Sequence, residues 1–185
     1  MNTIENNIKV RGEITAKFYN QEKLNFAEKM LNKLIIRLRV RYPRIMKHYI
    51  LGNLTAEDKH DNVICNAGFN AITRLLTGDH TYSGEINKAL LGTGVGSASA
   101  GDTRLIAESY RNDLASGTDD QNVAYLTAYF SETECSGTYK EFGNAIDGLV
   151  GANTGQLWSH LCGINWVKDA QTVLVVSCKY TFSSI

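Results

Sequence analysis

The chain has 185 residues, 43% of them hydrophobic and 21% charged, and a formal net charge of zero, which excludes disordered and collagen-like proteins. A domain of this size buries roughly 70% of the surface of its unfolded chain, so a stable core requires no metal or disulfide. No apolar run approaches the ~20 residues of a membrane-spanning helix, and the amino terminus lacks the apolar centre of a signal peptide. We therefore expect a globular protein that folds in a cytoplasm and contacts no membrane.

The net charge of zero hides an asymmetry along the chain. Residues 1–60 contain 12 lysine and arginine residues and 6 acidic ones, whereas residues 61–185 contain 7 and 13 respectively. Opposite ends of neighbouring copies would attract each other, which favours head-to-tail assembly. The alternative is that the two segments neutralise each other within one fold.

Residues 8–19 come first in chain order and alternate between apolar and polar side chains, which predicts a strand with one solvent-facing side. Gly12 lies on the apolar side of this strand and indicates a bulge or a close neighbour. Residues 24–38 show helical spacing, but residues 36–42 alternate. We therefore predict a helix that passes into a strand near residue 34.

The next segment is predicted to leave the helical pattern altogether. Pro43 is expected to close the preceding strand, residues 45–51 to form another strand, and residues 52–61 to form a polar turn. We treat residues 1–61 as a basic N-terminal extension, made of a strand and a helix or strand, that joins residues 62–185 in one integrated domain.

A second helix is predicted over residues 63–76, with Asn62 as its N-cap and Gly78 just beyond its end. From residue 86 onward, clusters of Gly, Ser, Asn and Asp separate segments of β-strand character. These segments are residues 86–92, 104–113, 122–132, 138–146, 155–162 and 172–182. Their spacing predicts a mainly β fold, an antiparallel β-sandwich of jelly-roll type with one or two α-helices.

Two of these strands show more than simple alternation. The first half of residues 172–182 has apolar side chains on both parities, which predicts burial on both faces. Residues 123–130 show no clean alternation, a pattern typical of a central strand or of a strand that another subunit covers.

A glycine-rich segment, residues 91–103, invites comparison with phosphate-binding loops. Gly96 and Gly101 have the required separation, but Asp102 and Thr103 follow where Lys and Ser or Thr are needed. The carboxylate of Asp102 would also repel a phosphate. We interpret the segment as a flexible surface loop.

His160 and Cys162 lie two residues apart on a predicted strand and therefore face the same side, as two metal ligands would. The sequence offers no second pair to complete a tetrahedral set, and the four cysteines contain no CxxC pair. We predict no metal site and no cofactor, and expect a half-buried histidine beside buried free thiols.

Two glutamates raise the question of catalysis. Glu132 and Glu134 would share a strand face, and with Glu141 or Asp147 they would make a carboxylate pair for sugar hydrolysis or for calcium. Acidic residues at strand ends are usually solvated, however. We therefore predict no catalytic site, and a hydrolase is the third hypothesis.

A basic patch follows the first predicted helix. On an alternating strand Arg37, Arg39 and Arg41 would point to one side, and with Arg44 and Lys47 they form the predicted interface. A nucleic-acid partner is disfavoured because the remainder of the chain is acidic and would repel phosphate. An acidic protein partner suits the patch better.

Four segments, taken in order, resemble a family of small structural proteins of tailed bacteriophages. They show an Asn-Ala-Gly helix, a strand leading into Gly-x-Gly, an Asp-Thr-x-Leu-x-x-Glu segment, a strand with Glu before a Gly turn, and a final Lys-Asp followed by a β-strand. The segments are residues 63–76, 86–111, 127–146 and 155–182, within a similarity that covers about residues 8–19 and 62–182. Residues 20–61 depart from the pattern and look like an insertion.

Members of this family are labelled tail, tail-fibre or baseplate-associated. The resemblance implies a β-sandwich that serves virion assembly or host-surface attachment, as multimers on a particle. Its recognisable positions here are Asp102, Thr103, Leu105, Glu108 and Arg111. From the residues themselves we expect a turn cap, a core leucine, and a carboxylate–guanidinium pair that ties the loop to the sheet.

We therefore predict a non-enzymatic structural component of a tailed-phage virion, located in the tail, the tail fibre or baseplate, or the head–tail connection. Its expected partners are other virion proteins and copies of itself, without nucleic acid. The alternative is a module that binds a host-surface glycan by stacking an exposed Trp158 or Tyr139 on sugar rings, although aromatic residues in strands more often belong to the core.

Overall fold

The computed structural model describes residues 8–39 and 41–184, without the side chains of residues 39, 43, 44 and 47. Most of the described chain is β-structure. Its strands are β1 (Ile8–Asn20), β2 (Asn53–Ile64), β3 (Ile86–Gly92), β4 (Glu108–Asp113), β5 (Ser116–Asp120), β6 (Val123–Phe130), β7 (Gly137–Ile146), β8 (Gln156–Lys168) and β9 (Thr172–Ser184). Its helices are α1 (Phe26–Arg39), α2 (Asn66–Leu76) and a short 3₁₀ helix, Pro43–His48.

The nine strands form one antiparallel sheet in the order β4-β3-β7-β8-β2-β1-β9-β6-β5, which curls into a half-barrel. The structure confirms the predicted mainly β, antiparallel fold, and its two α-helices agree with the one or two predicted. We call β2-β1-β9-β6-β5 the first arm and β4-β3-β7-β8 the second arm. The arms are joined where Val63 and Ile64, at the end of β2, pair with His160 and Ser159 on β8.

The main core fills the concave side of the sheet, where the two arms face each other. Both tryptophans lie in this core, together with apolar side chains of both arms. Its buried members include Ile14, Phe130, Leu174, Val176 and Tyr180 from the first arm, and Leu91, Phe142, Ile146, Trp158 and Trp166 from the second. Burial of apolar surface of this extent is the main force that holds the two arms together.

Strand β1 lies at the centre of the first arm, paired with β2 on one side and β9 on the other. Its alternation is the predicted one, with Ile14, Ala16 and Phe18 buried. The close neighbour expected at Gly12 is also confirmed, because a Cβ atom there would lie 1.8 Å from Asn62 Oδ1.

Strand β9 is buried on both faces in its first half, as predicted. Leu174 and Val176 face the main core, whereas Val173 and Val175 lie under α1 and the 3₁₀ helix. A second, smaller core forms there. It contains Ile35, Met46, Tyr49, Ala115, Val173 and Val175. The N-terminal segment is thus part of the same sheet and packs on its convex side.

The predictions for residues 20–61 are largely wrong. Helix α1 continues to Arg39 instead of becoming a strand near residue 34, and the 3₁₀ helix replaces the strand predicted over residues 45–51. Helix α1 has apolar side chains on two faces, so alternating positions match a helix and a strand equally well. The polar turn predicted over residues 52–61 is strand β2, whose outward side chains are mostly exposed and leave no apolar signal.

Two further elements, α2 and β5, differ from prediction. Helix α2 begins at Asn66 with Cys65 as N-cap, because Asn62 still belongs to β2. Gly78 does follow this helix in a left-handed conformation, with φ of 78°. Strand β5 was missed because all five of its residues are exposed.

Candidate functional site

A buried carboxylate organises the glycine-rich loop. Glu141 lies on β7, has no exposed surface, and accepts hydrogen bonds from three main-chain amides. Its Oε1 accepts from Gly94 N at 3.0 Å and from Ala107 N at 2.7 Å, and its Oε2 accepts from Ile106 N at 2.8 Å. One carboxylate therefore anchors both ends of the loop. We had predicted this segment to be a flexible surface loop.

His160 extends this network towards the surface. Its Nε2 lies 2.9 Å from Glu141 Oε2 and its Nδ1 lies 2.6 Å from Asp102 Oδ2. Asp102 also accepts a hydrogen bond from Ser99 N at 2.8 Å, which is the predicted turn cap. Each ring nitrogen thus lies within hydrogen-bond distance of one carboxylate, and the three side chains form one network.

The same cluster brings together possible metal ligands. Glu141, His160 and Cys162 offer oxygen, nitrogen and sulfur atoms that all lie within 4.8 Å of one another, and zinc accepts all three ligand types. The sequence suggests the His160–Cys162 pair but not its proximity to Glu141. Since Glu141 already accepts three amide hydrogen bonds and both ring nitrogens face carboxylates, we interpret the cluster as a structural hydrogen-bond network.

The cysteine thiols are poor nucleophiles in these surroundings. Burial raises the pKa of Cys65 to about 12 and that of Cys178 to about 12, and burial beside Glu141 and Asp102 raises that of Cys162 to about 11. Cys65 and Cys178 are buried, and Cys135 and Cys162 are half-buried. The raised pKa values favour the protonated thiols of Cys65, Cys162 and Cys178 near neutral pH.

Acid sensitivity should arise partly at Asp102. Burial alone would raise its pKa, but hydrogen bonds from Ser99 N–H and His160 hold the pKa below its usual value of 3.8. A carboxyl group with a lower pKa in the folded state stabilises the fold above its unfolded pKa and loses this effect as the pH falls through the folded pKa.

The unfolding free energy of the native protein should fall as the pH drops below about 4. We expect this fall to be smaller in the Asp102→Asn variant. Urea denaturation at a series of pH values between about 2 and 6 measures this slope. Glu22→Gln, at an exposed carboxylate that follows β1, is the control and should leave the slope unchanged. Equal slopes for both variants would rule out the role of Asp102.

The predicted carboxylate–guanidinium pair is present on β4. Arg111 Nε and Nη2 donate to the two carboxylate oxygens of Glu108 at 2.6 and 2.7 Å, and both side chains are almost fully buried. Arg111 Nη1 also donates to Leu149 O at 2.9 Å and to Thr154 Oγ1 at 2.7 Å. The pair therefore ties the loop between β7 and β8 to the sheet, and not the glycine-rich loop.

The other positions singled out with this pair have separate surroundings. Leu105 is the expected core leucine, 1% exposed and packed with a small cluster that includes Cys65 and Leu157. Thr103 is exposed on the loop. The positions that carry the family resemblance thus stabilise two separate loops. They do not come together in one reactive centre.

The predicted basic interface has a different geometry from the one expected. Arg37 is on α1 and Arg41 follows this helix. The prediction of an alternating strand that aligns the arginines is therefore wrong. Both are exposed, and the Arg41 guanidinium lies 5.8 Å from the centre of the Tyr42 ring. The side chains of Arg39, Arg44 and Lys47 lie outside the described part of the structure.

The outward face of α1 is apolar, a feature that the sequence analysis missed. Phe26, Met30, Leu34 and Leu38 recur every four residues and form one stripe along the helix. Phe26 is 81% exposed and Leu34 is 52% exposed, and Leu31 borders the stripe. The opposite face of the helix is the buried one.

The aromatic residues expected to stack on sugars are buried, and Glu132 and Glu134 do not lie on a strand as predicted. Trp158 and Tyr139 are 2% and 4% exposed, so they offer no surface to a sugar ring. Glu132 and Glu134 follow β6 in a turn; Glu132 accepts a hydrogen bond from Tyr49, and Glu134 accepts one from Tyr110 at 3.0 Å. These acids therefore belong to networks separate from that of Glu141.

Comparison with known proteins gives no further assignment. No protein-family model matches the chain, and neither a curated protein nor a solved structure is significantly similar to it. Among the described residues, no helix is both long enough and apolar enough to cross a membrane. The phage-protein resemblance thus rests on the sequence segments alone.

Proposed function

We propose that this protein is a structural subunit of a tailed-phage particle, which assembles through the apolar stripe of α1. The resemblance of the sequence segments suggests the particle, and the exposed stripe carries the proposal of assembly. The two arms of the curled sheet would serve as the two layers of the β-sandwich expected for such a subunit. Their concave sides already enclose the main core.

The stripe has the character of an interface. A helix on the surface of a monomer normally turns its apolar side inward, as α1 does with Ile35. Here a second apolar face, from Phe26 to Leu38, is exposed as well. Contiguous exposed apolar patches mark sites of protein association, because burial stabilises by about 25 cal/mol per Å² of apolar surface.

Charge favours an acidic partner. Lys29, Lys33 and Arg37 lie on the same helix and are exposed. The chain itself provides acidic surface, because residues 61–185 have 13 acidic and 7 basic residues, and Asp119 and Asp120 are exposed on edge strand β5. We propose that α1 of one copy contacts this acidic surface of the next copy, a head-to-tail contact that builds rings or fibres.

The double variant Phe26→Asp/Leu34→Asp tests this proposal. We expect the native protein to form multimers and the variant to remain monomeric, because burying two carboxylates in the interface costs several kcal/mol. Light scattering coupled to size-exclusion chromatography measures the mass. Leu76→Asp, at an apolar residue of α2 that is 82% exposed, is the control and should still assemble.

A second variant tests the partner surface. Asp119→Lys/Asp120→Lys should weaken assembly, and higher salt should weaken the native multimer as charge attraction is screened. A native protein that is monomeric at all concentrations would refute the proposal. Multimers that tolerate both double variants would refute the proposed contact.

A further inference from the structure

Three different ligand atoms come together where β7 pairs with β8. Cys162 lies directly opposite Glu141 in the register of these strands, and His160 lies two residues before Cys162 on the same face of β8. Cys162 Sγ is 3.2 Å from His160 Nε2, the nitrogen that also lies 2.9 Å from Glu141 Oε2. One ring nitrogen therefore faces a carboxylate oxygen and a sulfur atom at the same time.

The separations of these atoms are close to those in a zinc site. Zinc bonds to nitrogen at about 2.0–2.1 Å and to sulfur at about 2.3 Å, so a tetrahedral ion separates its ligand atoms by roughly 3.4–3.6 Å. The distances from His160 Nε2 to Glu141 Oε2 and to Cys162 Sγ would each have to grow by about 0.5 Å to admit the ion. Paired strands hold the three side chains, so the ligands are largely in place before a metal binds.

The hydrogen bonds of the network leave lone pairs for a metal. Glu141 Oε2 accepts one main-chain amide, that of Ile106, and a carboxylate oxygen has two lone pairs. Asp102 Oδ2 lies 2.6 Å from His160 Nδ1. A proton on Nδ1, donated to Asp102, leaves the lone pair of the ring on Nε2, and histidines that bind zinc commonly have such a carboxylate partner. The contacts that form the structural network thus also orient ligands.

The charges around the cluster attract a cation. Burial raises the pKa of the Cys162 thiol, and the nearby charges of Glu141 and Asp102 raise it further. The same two carboxylates would attract a divalent ion. A metal ion stabilises the thiolate of a coordinating cysteine, whose proton is released to solvent on binding.

We propose that Glu141, His160 and Cys162 bind a zinc ion, with Asp102 as the residue that positions the ring of His160. The thiolate and the imidazole select zinc over magnesium and calcium, which prefer oxygen ligands. The sequence analysis predicted no metal site because it identified only the pair on β8, and Glu141 supplies the third ligand. None of these residues lies on α1 or β5, so the proposal does not rest on the proposed assembly.

Cobalt(II) is the probe, because it can take the place of zinc and its absorption reports the ligands. We expect the native protein, freed of metal by a chelator and then dialysed, to bind a single cobalt ion per chain. The spectrum should show thiolate-to-cobalt charge transfer in the near ultraviolet and the intense visible bands of a four-coordinate ion. Zinc should abolish these bands, whereas magnesium should leave them unchanged.

Two serine variants locate the thiolate. Cys162→Ser should lose the charge-transfer band and bind cobalt more than about tenfold less tightly, since even the loss of an outer contact to a metal site costs that much. Cys135→Ser, at the other half-buried cysteine, is the matched control and should keep both the band and the affinity. Circular dichroism checks that both variants are folded.

Histidine signals give a readout in the native protein that depends on no variant. In ¹⁵N spectra zinc should shift the Nε2 signal of His160 and leave the ring signals of the exposed His80 in place. The proposal is overturned if the native protein binds no cobalt at millimolar concentration, or if Cys162→Ser retains the charge-transfer band. A His160 signal that zinc does not move would overturn it equally.

Discussion

Replacing Glu141 with leucine should lower the free energy of unfolding by about 4 kcal/mol, the range measured when one partner of a buried ionic network is removed. The substitution leaves the amides of Gly94, Ile106 and Ala107 without their acceptor. It also removes the carboxylate that faces His160 Nε2. Urea denaturation followed by circular dichroism measures the loss.

The control for this variant is Glu22→Leu, which makes the same chemical change at an exposed position. It should alter the unfolding free energy by less than about 0.5 kcal/mol. Hydrogen exchange gives a second measure, because the three loop amides should exchange faster in Glu141→Leu than in the native protein. A variant as stable as the control would show that Glu141 does not anchor the loop.

Strands with buried side chains were predictable from sequence. The bounds of β3, Ile86–Gly92, match the prediction, and the burial of β9 on both faces follows from its run of valines. Strands β2 and β5 carry mainly exposed side chains, so their positions depend on pairing with β1 and β6. Pairing with a distant strand leaves no local pattern that periodicity can detect.

The candidate site was predictable only in part, because one of its contacts is local in sequence and the other depends on strand pairing. Spacing along one strand is a local property, so His160 and Cys162 were placed together from sequence. Glu141 reaches them through the register of β7 with β8, in which it lies opposite Cys162. A buried glutamate that accepts main-chain amides has the same sequence signature as a solvated one, and sequence analysis grouped it with Glu132 instead.

The second large effect is expected at Gly68, where α2 contacts β8. A Cβ atom at this position would lie 2.6 Å from Trp158 Cε3 and 2.9 Å from Trp158 Cα. The Cα atom belongs to the main chain of a central strand and cannot move aside as a flexible side chain does. Gly68→Val must therefore push the helix away from the sheet.

We expect Gly68→Val to lower the unfolding free energy by about 3 kcal/mol, at the upper end of the usual cost of overpacking. Asn70→Val is the matched control, because it introduces the same β-branched residue at an exposed position of the same helix. The control should cost less than about 0.5 kcal/mol, and thermal and urea denaturation measure both values. Equal losses in the two variants would contradict the close approach of α2 to β8, because valine is a better helix former than glycine. A larger loss in Gly68→Val shows that α2 and β8 approach as closely as this glycine allows.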